Sequence, residues 1–267
     1  ILIMVGMIMR AVSCVAFDAE WGRQMRFVCG PRQSGKTTMA RQWLQDHACQ
    51  ELYYLWDLRS VKNRYKANEL FFTADAPGKR NAWVCFDEIH KMPQWKNILK
   101  AIYDAVGDRY RFIVTGSAKL NLLKRAGDSL AGRYFTFHLF PLALYELATG
   151  PDGKRIPATA HDFAGQRMAT APVDVQPLLA YGGFPEPFLR QSQPFYAKWA
   201  GDYIETVIRE DIGALTRIVD REHIHDLYML LPEMVGSPVS EASLAGHLQV
   251  SPVTAKNYLR RLEDFYL

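Results

Sequence analysis

Short apolar runs alternate with amphipathic stretches through the first half of the chain. The runs are short, rich in β-branched and aromatic residues and bounded by polar or turn residues, which predicts buried strands. They lie at 25–29, 51–58, 82–88, 110–114 and 134–140. Apolar residues at helical spacing predict helices at 37–47 and 63–72. Strands that alternate with helices in this way predict an α/β fold with a parallel sheet.

The second half of the chain is predicted to be helical. Residues 150–177 are rich in Gly, Pro and Ala, which predicts a loop-rich insertion with at most a short helix at 161–169. Apolar and aromatic residues at helical spacing then predict helices at 195–218, 221–235 and 240–248 and a last one from Ser251. We therefore expect three parts: a core at 1–148, a linker and helical lid at 149–218, and a small all-α module at 219–267.

The segment between the first predicted strand and helix is a complete phosphate-binding P-loop, GPRQSGKT from Gly30 to Thr37. Its two glycines permit backbone angles, and a closeness to phosphate, that a side chain would block. Backbone N–H groups and the start of the helix would then face an anion. Lys36 would reach the β- and γ-phosphates of a nucleotide, and the Thr37 hydroxyl would ligate Mg²⁺. The predicted nucleotide contacts in the loop are Gly30, Pro31, Arg32, Gln33, Ser34, Gly35, Lys36, Thr37 and Thr38.

A second motif indicates hydrolysis of the nucleotide. The strand at 82–88 ends in Asp87 and Glu88. In a P-loop protein the first acid at such a strand end holds the Mg²⁺ shell, and the second is placed to polarise the attacking water. A further strand lies in sequence between the P-loop strand and the Asp87 strand. That order is typical of additional-strand (RecA/AAA-like) ATPases rather than of kinases and GTPases.

The fourth predicted strand ends in Thr115-Gly116-Ser117. Ser117 at that end would lie beside the γ-phosphate and could report its presence. An ordinary turn built from Gly and Ser explains the same residues. The sequence leaves both interpretations open.

Composition excludes few classes of function. Of the 267 residues, 49% are hydrophobic and 22% charged, and the net charge of +4 permits nucleic-acid contact without arguing for it. The four cysteines form no C-x-x-C pair and two lie in predicted strands, so we expect reduced thiols in a cytoplasmic protein. The apolar segment 1–9 has no basic residue before it and is too short to span a bilayer, so we expect a packed segment there.

The predicted C-terminal module resembles a winged helix in the order of its elements. Ser251 would cap a last helix at 251–264, with Pro252 in its first turn. Lys256, Arg260 and Arg261 on that helix suit contact with DNA, whereas Glu263 and Asp264 weaken the case. The alternative is a docking surface for a protein partner, another copy of the chain or the ATPase core, and the sequence leaves both open. The sequence ends where a wing strand would begin, so we expect an incomplete wing.

Several segments in order resemble the prokaryotic AAA-superfamily ATPases that pair a P-loop core with an uncharacterised C-terminal region. They are GPRQSGKTT at 30–38, CFDEIHKMPQW at 85–95, VTGSAKL at 114–120, LAGRYF at 130–135, FPLALYEL at 140–147, YGGFPEP at 181–187 and the closing SPVTAKNYLRRLEDFYL. The resemblance implies ATP binding, ATP hydrolysis and the winged-helix interpretation of the end. Family members usually continue into a nuclease-like domain, which this sequence does not reach. The resemblance transfers no client.

The resemblance also marks Arg133, which matches the family's Gly-Arg before the fifth strand. In cis or in trans, such an arginine could neutralise charge on the γ-phosphate, and the alternative is a structural ion pair. The sequence as a whole predicts an ATP- and Mg²⁺-dependent ATPase with Lys36, Glu88 and Arg133 in catalysis and Thr37 and Asp87 at the metal. A slow nucleotide-dependent regulator or DNA-binding switch is the alternative.

Overall fold

The computed structural model describes residue 8 and residues 10–117, 130–148, 174–213 and 218–267. The predicted short helix at 161–169 lies outside these residues. The chain divides into two compact units, residues 1–191 and 192–267. The segment predicted as linker and lid, 149–218, crosses the division between residues 191 and 192, so part of it falls in each unit. The predicted domain boundaries stay predictions.

The first unit is built on a five-stranded parallel sheet. Its strands are β1 Met25–Cys29, β2 Tyr53–Leu55, β3 Ala82–Asp87, β4 Tyr110–Thr115 and β5 Tyr134–His138. Their order across the sheet is β2-β3-β4-β1-β5. Because β4 lies between β1 and β3, the sheet has the additional-strand arrangement, and the predicted α/β fold class is confirmed.

The helices of the first unit precede, connect or follow its strands. They are α1 Ala11–Ala16, α2 Lys36–Asp46, α3 Arg59–Ala67, α4 Trp95–Val106, α5 Leu144–Ala148, α6 Gln176–Tyr181 and α7 Pro185–Arg190. Strands β1 and β3 are buried along their whole length, as expected for the centre of a covered parallel sheet. Aromatic rings fill much of the core, for example Phe86 stacked on Phe112 with centroids 5.8 Å apart.

Two predicted elements of the first unit have bounds that are wrong by several residues. The strand predicted at 51–58 is shorter, because a 3₁₀ turn at Gln50–Leu52 precedes it and β2 ends at Leu55. The helix predicted at 63–72 is α3 at Arg59–Ala67, followed by a 3₁₀ turn at Phe71–Ala74. Phe71 and Phe72 are buried in the core, so an apolar pair that continued the helical spacing belongs to a turn instead.

The second unit consists of helices in its described residues. They are α8 Gln193–Thr206, a π-helical stretch at Val207–Ile212, α9 Ile218–Leu230, a 3₁₀ turn at Leu231–Met234, α10 Glu241–Leu248 and α11 Pro252–Asp264. The single α-helix predicted at 195–218 is wrong at Val207–Ile212, where the backbone widens and Gly213 N–H bonds the Ile208 carbonyl at 2.9 Å. Its residues 214–217 lie outside the described residues. Across both units, no helix in the described parts of the chain has the length and apolarity to cross a membrane.

Candidate functional site

The P-loop joins β1 to α2, as predicted. Gly35 has φ +95° and stands just before α2, a left-handed conformation that favours glycine. Gly30 has φ +156°, and a Cβ there would stand 2.2 Å from the Leu139 carbonyl oxygen. The chain that follows β5 therefore also excludes a side chain at Gly30, a constraint that adds to the predicted backbone angles and closeness to phosphate.

Lys36 is buried inside the loop that precedes it. Its ammonium donates to the carbonyls of Gly30 at 3.1 Å and Pro31 at 2.5 Å, and it lies 3.5 Å from Ser34 Oγ. Burial lowers the pKa of Lys36 to about 8, while Glu88 and Asp87 act in the opposite direction. A cation on a long side chain thus lies within the phosphate loop, with two carboxylates in its electrostatic surroundings.

Asp87 is the buried acceptor on which three hydroxyl groups converge. Thr37 Oγ1 from the start of α2 donates to Oδ2 at 2.8 Å. Tyr53 Oη from β2 donates to the same oxygen, and Thr115 Oγ1 from the end of β4 donates to Oδ1. Sheet register explains the last contact, since Asp87 and Thr115 are partners on neighbouring strands. The hydroxyl of Thr37 and the carboxylate of Asp87 are oxygen ligands of the kind that Mg²⁺ takes, so these residues fit the predicted metal.

Glu88 follows Asp87 in a left-handed conformation, with φ +59°. Such an angle is uncommon for a residue with a side chain, and hydrogen bonds on both sides hold it. Its N–H donates to Thr115 O at 3.1 Å, and its carbonyl accepts from Lys91 N–H at 3.1 Å. The carboxylate lies 3.5 Å from His90 Nε2 and 3.7 Å from Lys91 Nζ. Burial raises the pKa of Glu88, and the charge of Lys91 opposes that rise.

Arg133 is not brought to this site. It precedes β5, and its carbonyl accepts from Met25 N–H at the first residue of β1, the opposite end from the P-loop. Five strand residues span about 16 Å, farther than an arginine side chain reaches. Its guanidinium pairs instead with Asp104 at 2.8 Å. A role in cis is therefore wrong, the structural ion pair is present, and a role in trans stays a prediction.

The remaining predicted contacts lie along the loop and at the end of β4. Pro31 and Ser34 are buried, Arg32 is half-buried, and Gln33, Thr37 and Thr38 are exposed. Ser117 is buried two residues beyond β4. Thr115, to which the sequence analysis gave no role, is the residue at this strand end that contacts Asp87.

Tyr53, Arg10 and Glu146 are further residues of the site that the sequence analysis did not assign. Tyr53 lies within the strand predicted at 51–58 and was given no role, yet its phenol reaches Asp87 and its ring lies 4.2 Å below the Arg41 guanidinium carbon. Arg10 directly follows the apolar segment 1–9 and was given no role, yet its Nη1 donates to the Ser34 carbonyl at 2.7 Å. An arginine and a glutamate far apart in sequence carry no local signal of pairing, so the sequence pattern could not predict the ion pair between Arg10 and Glu146.

In the second unit, Ser251 caps α11 by accepting from Thr254 N–H at 3.1 Å, as predicted. Lys256, half-exposed, pairs with Glu241 of α10 at 2.5 Å. Arg261 lies 3.8 Å from Asp264, and Arg260 is exposed. The three predicted DNA-contacting cations are thus on one helix, and two of them already face carboxylates.

Comparison with known families divides the chain in two. Residues 22–148 match the family described as AAA domain, and residues 173–267 match a Domain of unknown function (DUF8612). The chain is 28% identical over 235 residues to the uncharacterized proteins Rv2008c of Mycobacterium tuberculosis and Mb2031c of Mycobacterium bovis. The match covers 88% of this chain and 46% of each relative, so the chain spans about half the length of these relatives.

Solved structures that are similar to this chain at low TM-scores include the following two. One is the Aeropyrum pernix ORC1 protein in complex with DNA, with 13% identity, a TM-score of 0.40 and coverage of 92% of this chain and 80% of that one. The other is the Thermotoga maritima RuvB Holliday junction branch migration motor, with 18% identity, a TM-score of 0.38 and coverage of 92% and 83%.

Proposed function

Since residues 22–148 form an AAA-type P-loop domain, we propose that the protein is a Mg²⁺-dependent ATPase that hydrolyses ATP to ADP and phosphate. One observation carries the proposal. The Thr37 hydroxyl lies 2.8 Å from the Asp87 carboxylate, with Lys36 buried in the adjoining loop and Glu88 next in the chain. These four groups are those that phosphoryl transfer to water requires, and they come from two separate motifs.

Each residue has a distinct part in the proposed reaction. The P-loop backbone and Lys36 hold the β- and γ-phosphates. Thr37 and Asp87 hold Mg²⁺, which when bound neutralises charge on the phosphates. Glu88 takes the proton of the attacking water, and the burial that raises its pKa makes its carboxylate a stronger base. Ser117 and Thr115 would sense the γ-phosphate from the end of β4.

Three single substitutions test this assignment. Lys36→Ala should abolish tight ATP binding, because it removes the point charge that lies inside the loop. Asp87→Asn should weaken the Mg²⁺-dependent part of binding. Glu88→Gln should keep ATP binding and lower turnover by about a hundredfold or more, the usual scale for loss of a general base. Calorimetry with MgATP and a phosphate-release assay measure the two quantities.

Glu69→Gln, which neutralises an exposed carboxylate of the same unit, is the matched control and should leave both quantities unchanged. Unaltered ATP affinity in Lys36→Ala would remove the P-loop from the mechanism. A wild-type hydrolysis rate in Glu88→Gln would remove Glu88.

A slow nucleotide-dependent regulator or DNA-binding switch is the second candidate. The observation in its favour is α11, where Lys256, Arg260 and Arg261 lie on one helix that carries exposed Asn257 as well. For the first candidate, hydrolysis would be coupled to movement of the winged-helix-like module, in a cytoplasmic protein whose four cysteines are free thiols. Comparing ATPase rates with and without duplex DNA separates the two candidates. Stimulation of the ATPase rate by DNA favours the switch. A rate that does not change with DNA favours a protein client.

A further inference from the structure

A buried ion pair joins the beginning of the first unit to the segment that follows β5. Arg10 Nε donates to Glu146 Oε1 at 2.9 Å, and Nη2 lies 3.3 Å from Oε2. Both side chains are almost fully buried, at 8% and 3% exposure. The carboxylate also accepts the N–H groups of Ala11 and Ala143, each at 3.0 Å. Burying two charges costs free energy of desolvation. The hydrogen bonds that offset this cost also fix the positions of both side chains, so we infer that their positions matter.

The other contacts of Arg10 show which parts of the chain its fixed position connects. Its Nη1 donates to the carbonyl of Ser34, inside the P-loop, at 2.7 Å. Its Nη2 also donates to the Phe140 carbonyl at 2.5 Å. Arg10 therefore connects the P-loop to the chain just beyond β5. Because Glu146 neutralises the charge of the guanidinium at 2.9 Å, Arg10 affects the loop mainly by orienting the Ser34 carbonyl rather than by adding positive charge.

Peptide geometry converts that contact into an effect on the loop. In a trans peptide the carbonyl of one residue and the N–H of the next point in opposite directions. Fixing the Ser34 carbonyl towards Arg10 therefore aims the Gly35 N–H away from the guanidinium. Gly35 has φ +95° and no side chain to restrict it, so its peptide plane rotates easily unless something holds it. Nη1 lies only 3.5 Å from the place that a Gly35 Cβ would occupy, which puts the arginine directly against this residue.

We propose that Arg10 and Glu146 are positioning residues of the phosphate site: they lock the Ser34–Gly35 peptide so that the loop amides are preorganised for the β-phosphate. The inference rests on the proposed nucleotide binding but not on hydrolysis. It assigns the pair no contact with the nucleotide.

The test compares affinities for ADP and AMP in the absence of Mg²⁺, by calorimetry and by competition. Arg10→Met/Glu146→Gln leaves no unpaired buried charge, and glutamine keeps one carbonyl oxygen for the N–H of either Ala11 or Ala143, so this pair of changes should disturb the fold less than the loss of one charge alone. We expect its ADP affinity to fall about ten- to hundredfold, the range seen when the partners that orient the ligands of a metal site are removed. AMP, which lacks a β-phosphate, should bind as weakly to the variant as to wild type.

Arg64→Met is the matched control, because Arg64 also pairs with a carboxylate in the same unit, Asp75 at 2.8 Å, and its other hydrogen bond goes to the Phe71 carbonyl rather than to the P-loop. It should keep the wild-type ADP affinity. Wild-type ADP affinity in the double variant, or an equal loss for ADP and AMP, would overturn the positioning role alone. Failure of wild type itself to bind ADP, with Lys36→Ala no different, would overturn the proposed function and this inference together.

Discussion

Lys36 holds its charge in an environment that disfavours it. Its ammonium is buried among loop carbonyls, and burial lowers its pKa to about 8. A polyphosphate placed beside Nζ favours the charged form and raises that pKa. Between the two pKa values the free protein has lost a proton that the complex keeps, so binding takes up a proton there.

We therefore expect Mg²⁺-free ADP affinity to fall as the pH rises above about 8, where the ADP phosphates are already fully ionised. Calorimetry in two buffers of different ionisation enthalpy should show proton uptake that increases over the same range. Lys66→Met, which removes an exposed lysine of α3, should behave as wild type. A pH-independent affinity would show that Lys36 stays fully charged in the free protein.

Tyr53 is the residue that most directly supports Asp87. Its phenol shares Oδ2 of Asp87 with Thr37, so it holds the carboxylate in the orientation that faces the hydroxyl. Tyr53→Phe should lower the Mg²⁺-dependent gain in ADP affinity by about tenfold, since a hydrogen bond to a charged group contributes about 1.5 kcal/mol or more. Affinity without Mg²⁺ should not change.

Tyr54→Phe on the same strand is the matched control for this prediction. The Tyr54 phenol also donates to a carboxylate, but its acceptor is Asp75 at 2.6 Å rather than Asp87. The substitution should leave both affinities unchanged. Equal effects of the two substitutions on the Mg²⁺-dependent gain would remove Tyr53 from the metal site.

Local sequence predicts best the residues whose partners come from adjacent positions. Lys36 and Thr37 stand at the start of α2, and Asp87 and Glu88 at the end of β3, because a strand–loop–helix segment and a strand end fix each pair within its own motif. Thr115 and Tyr53 reach Asp87 through strand register, which depends on how β2, β3 and β4 pair. Pairing is a long-range property, so apolar periodicity gives no indication of which hydroxyl would face the carboxylate.

The junction of β1 with the P-loop shows how elements constrain one another. Leu139 N–H donates to the Cys29 carbonyl at 2.8 Å, which continues the pairing of β5 with β1 up to the loop. That pairing brings the Leu139 carbonyl against Gly30, where a Cβ would lie 2.2 Å from its oxygen. The P-loop can therefore begin only with glycine while β5 keeps its register.

Gly30→Ala should destabilise the protein by about 2–3 kcal/mol, the scale of overpacking against a backbone that cannot move away. Gly132→Ala is the matched control, because Gly132 has φ +76° but a Cβ there would meet no heavy atom within 4 Å among the residues that the structure describes. It should cost only about 1 kcal/mol for the left-handed angle. Thermal unfolding in the absence of nucleotide measures both, and equal losses would contradict the role of Leu139.

The sequence predicted which segments form helices or strands better than it predicted the regularity of their backbone. The predicted bounds of β1 are those observed, since a fully buried strand between two loops leaves little choice. The aromatic stripe that predicted a long helix is also buried as expected, with Tyr203, Val207 and Ile208 in the core. The π-helical widening at Val207–Ile212 was not predictable, because it changes the hydrogen-bond spacing by one residue while leaving the same apolar residues inside.

At the scale of the whole molecule, the ATPase motifs and the predicted DNA-contacting helix belong to different compact units. The motifs lie within residues 1–191 and α11 within residues 192–267. The family matches divide the chain in a similar way, at 22–148 and 173–267. A substitution confined to α11 should therefore separate any nucleic-acid binding from nucleotide binding.

If α11 binds duplex DNA, Lys256, Arg260 and Arg261 should supply phosphate contacts. The logarithm of affinity would then fall with the logarithm of salt concentration at a slope of about −2 to −3, near −0.9 for each phosphate neutralised. Replacing all three residues with alanine should flatten the slope and leave basal ATPase activity intact. Fluorescence anisotropy with a labelled duplex over a salt series measures the slope.

The pairing of Lys256 with Glu241 at 2.5 Å makes the same hypothesis testable in the opposite direction. Glu241→Gln removes the competing carboxylate, so Lys256 is released to a phosphate and DNA affinity at low salt should rise, with a slope steeper by up to about one unit. Glu233→Gln, which changes a glutamate of the neighbouring 3₁₀ turn, is the control and should alter neither quantity. If Glu241→Gln and the triple alanine variant both bind DNA as wild type does, or if wild type shows no retention on DNA at low salt, α11 is not a DNA-binding helix. Its cations would then serve the ion pairs of the second unit, and the docking surface predicted as the alternative would be the function to pursue.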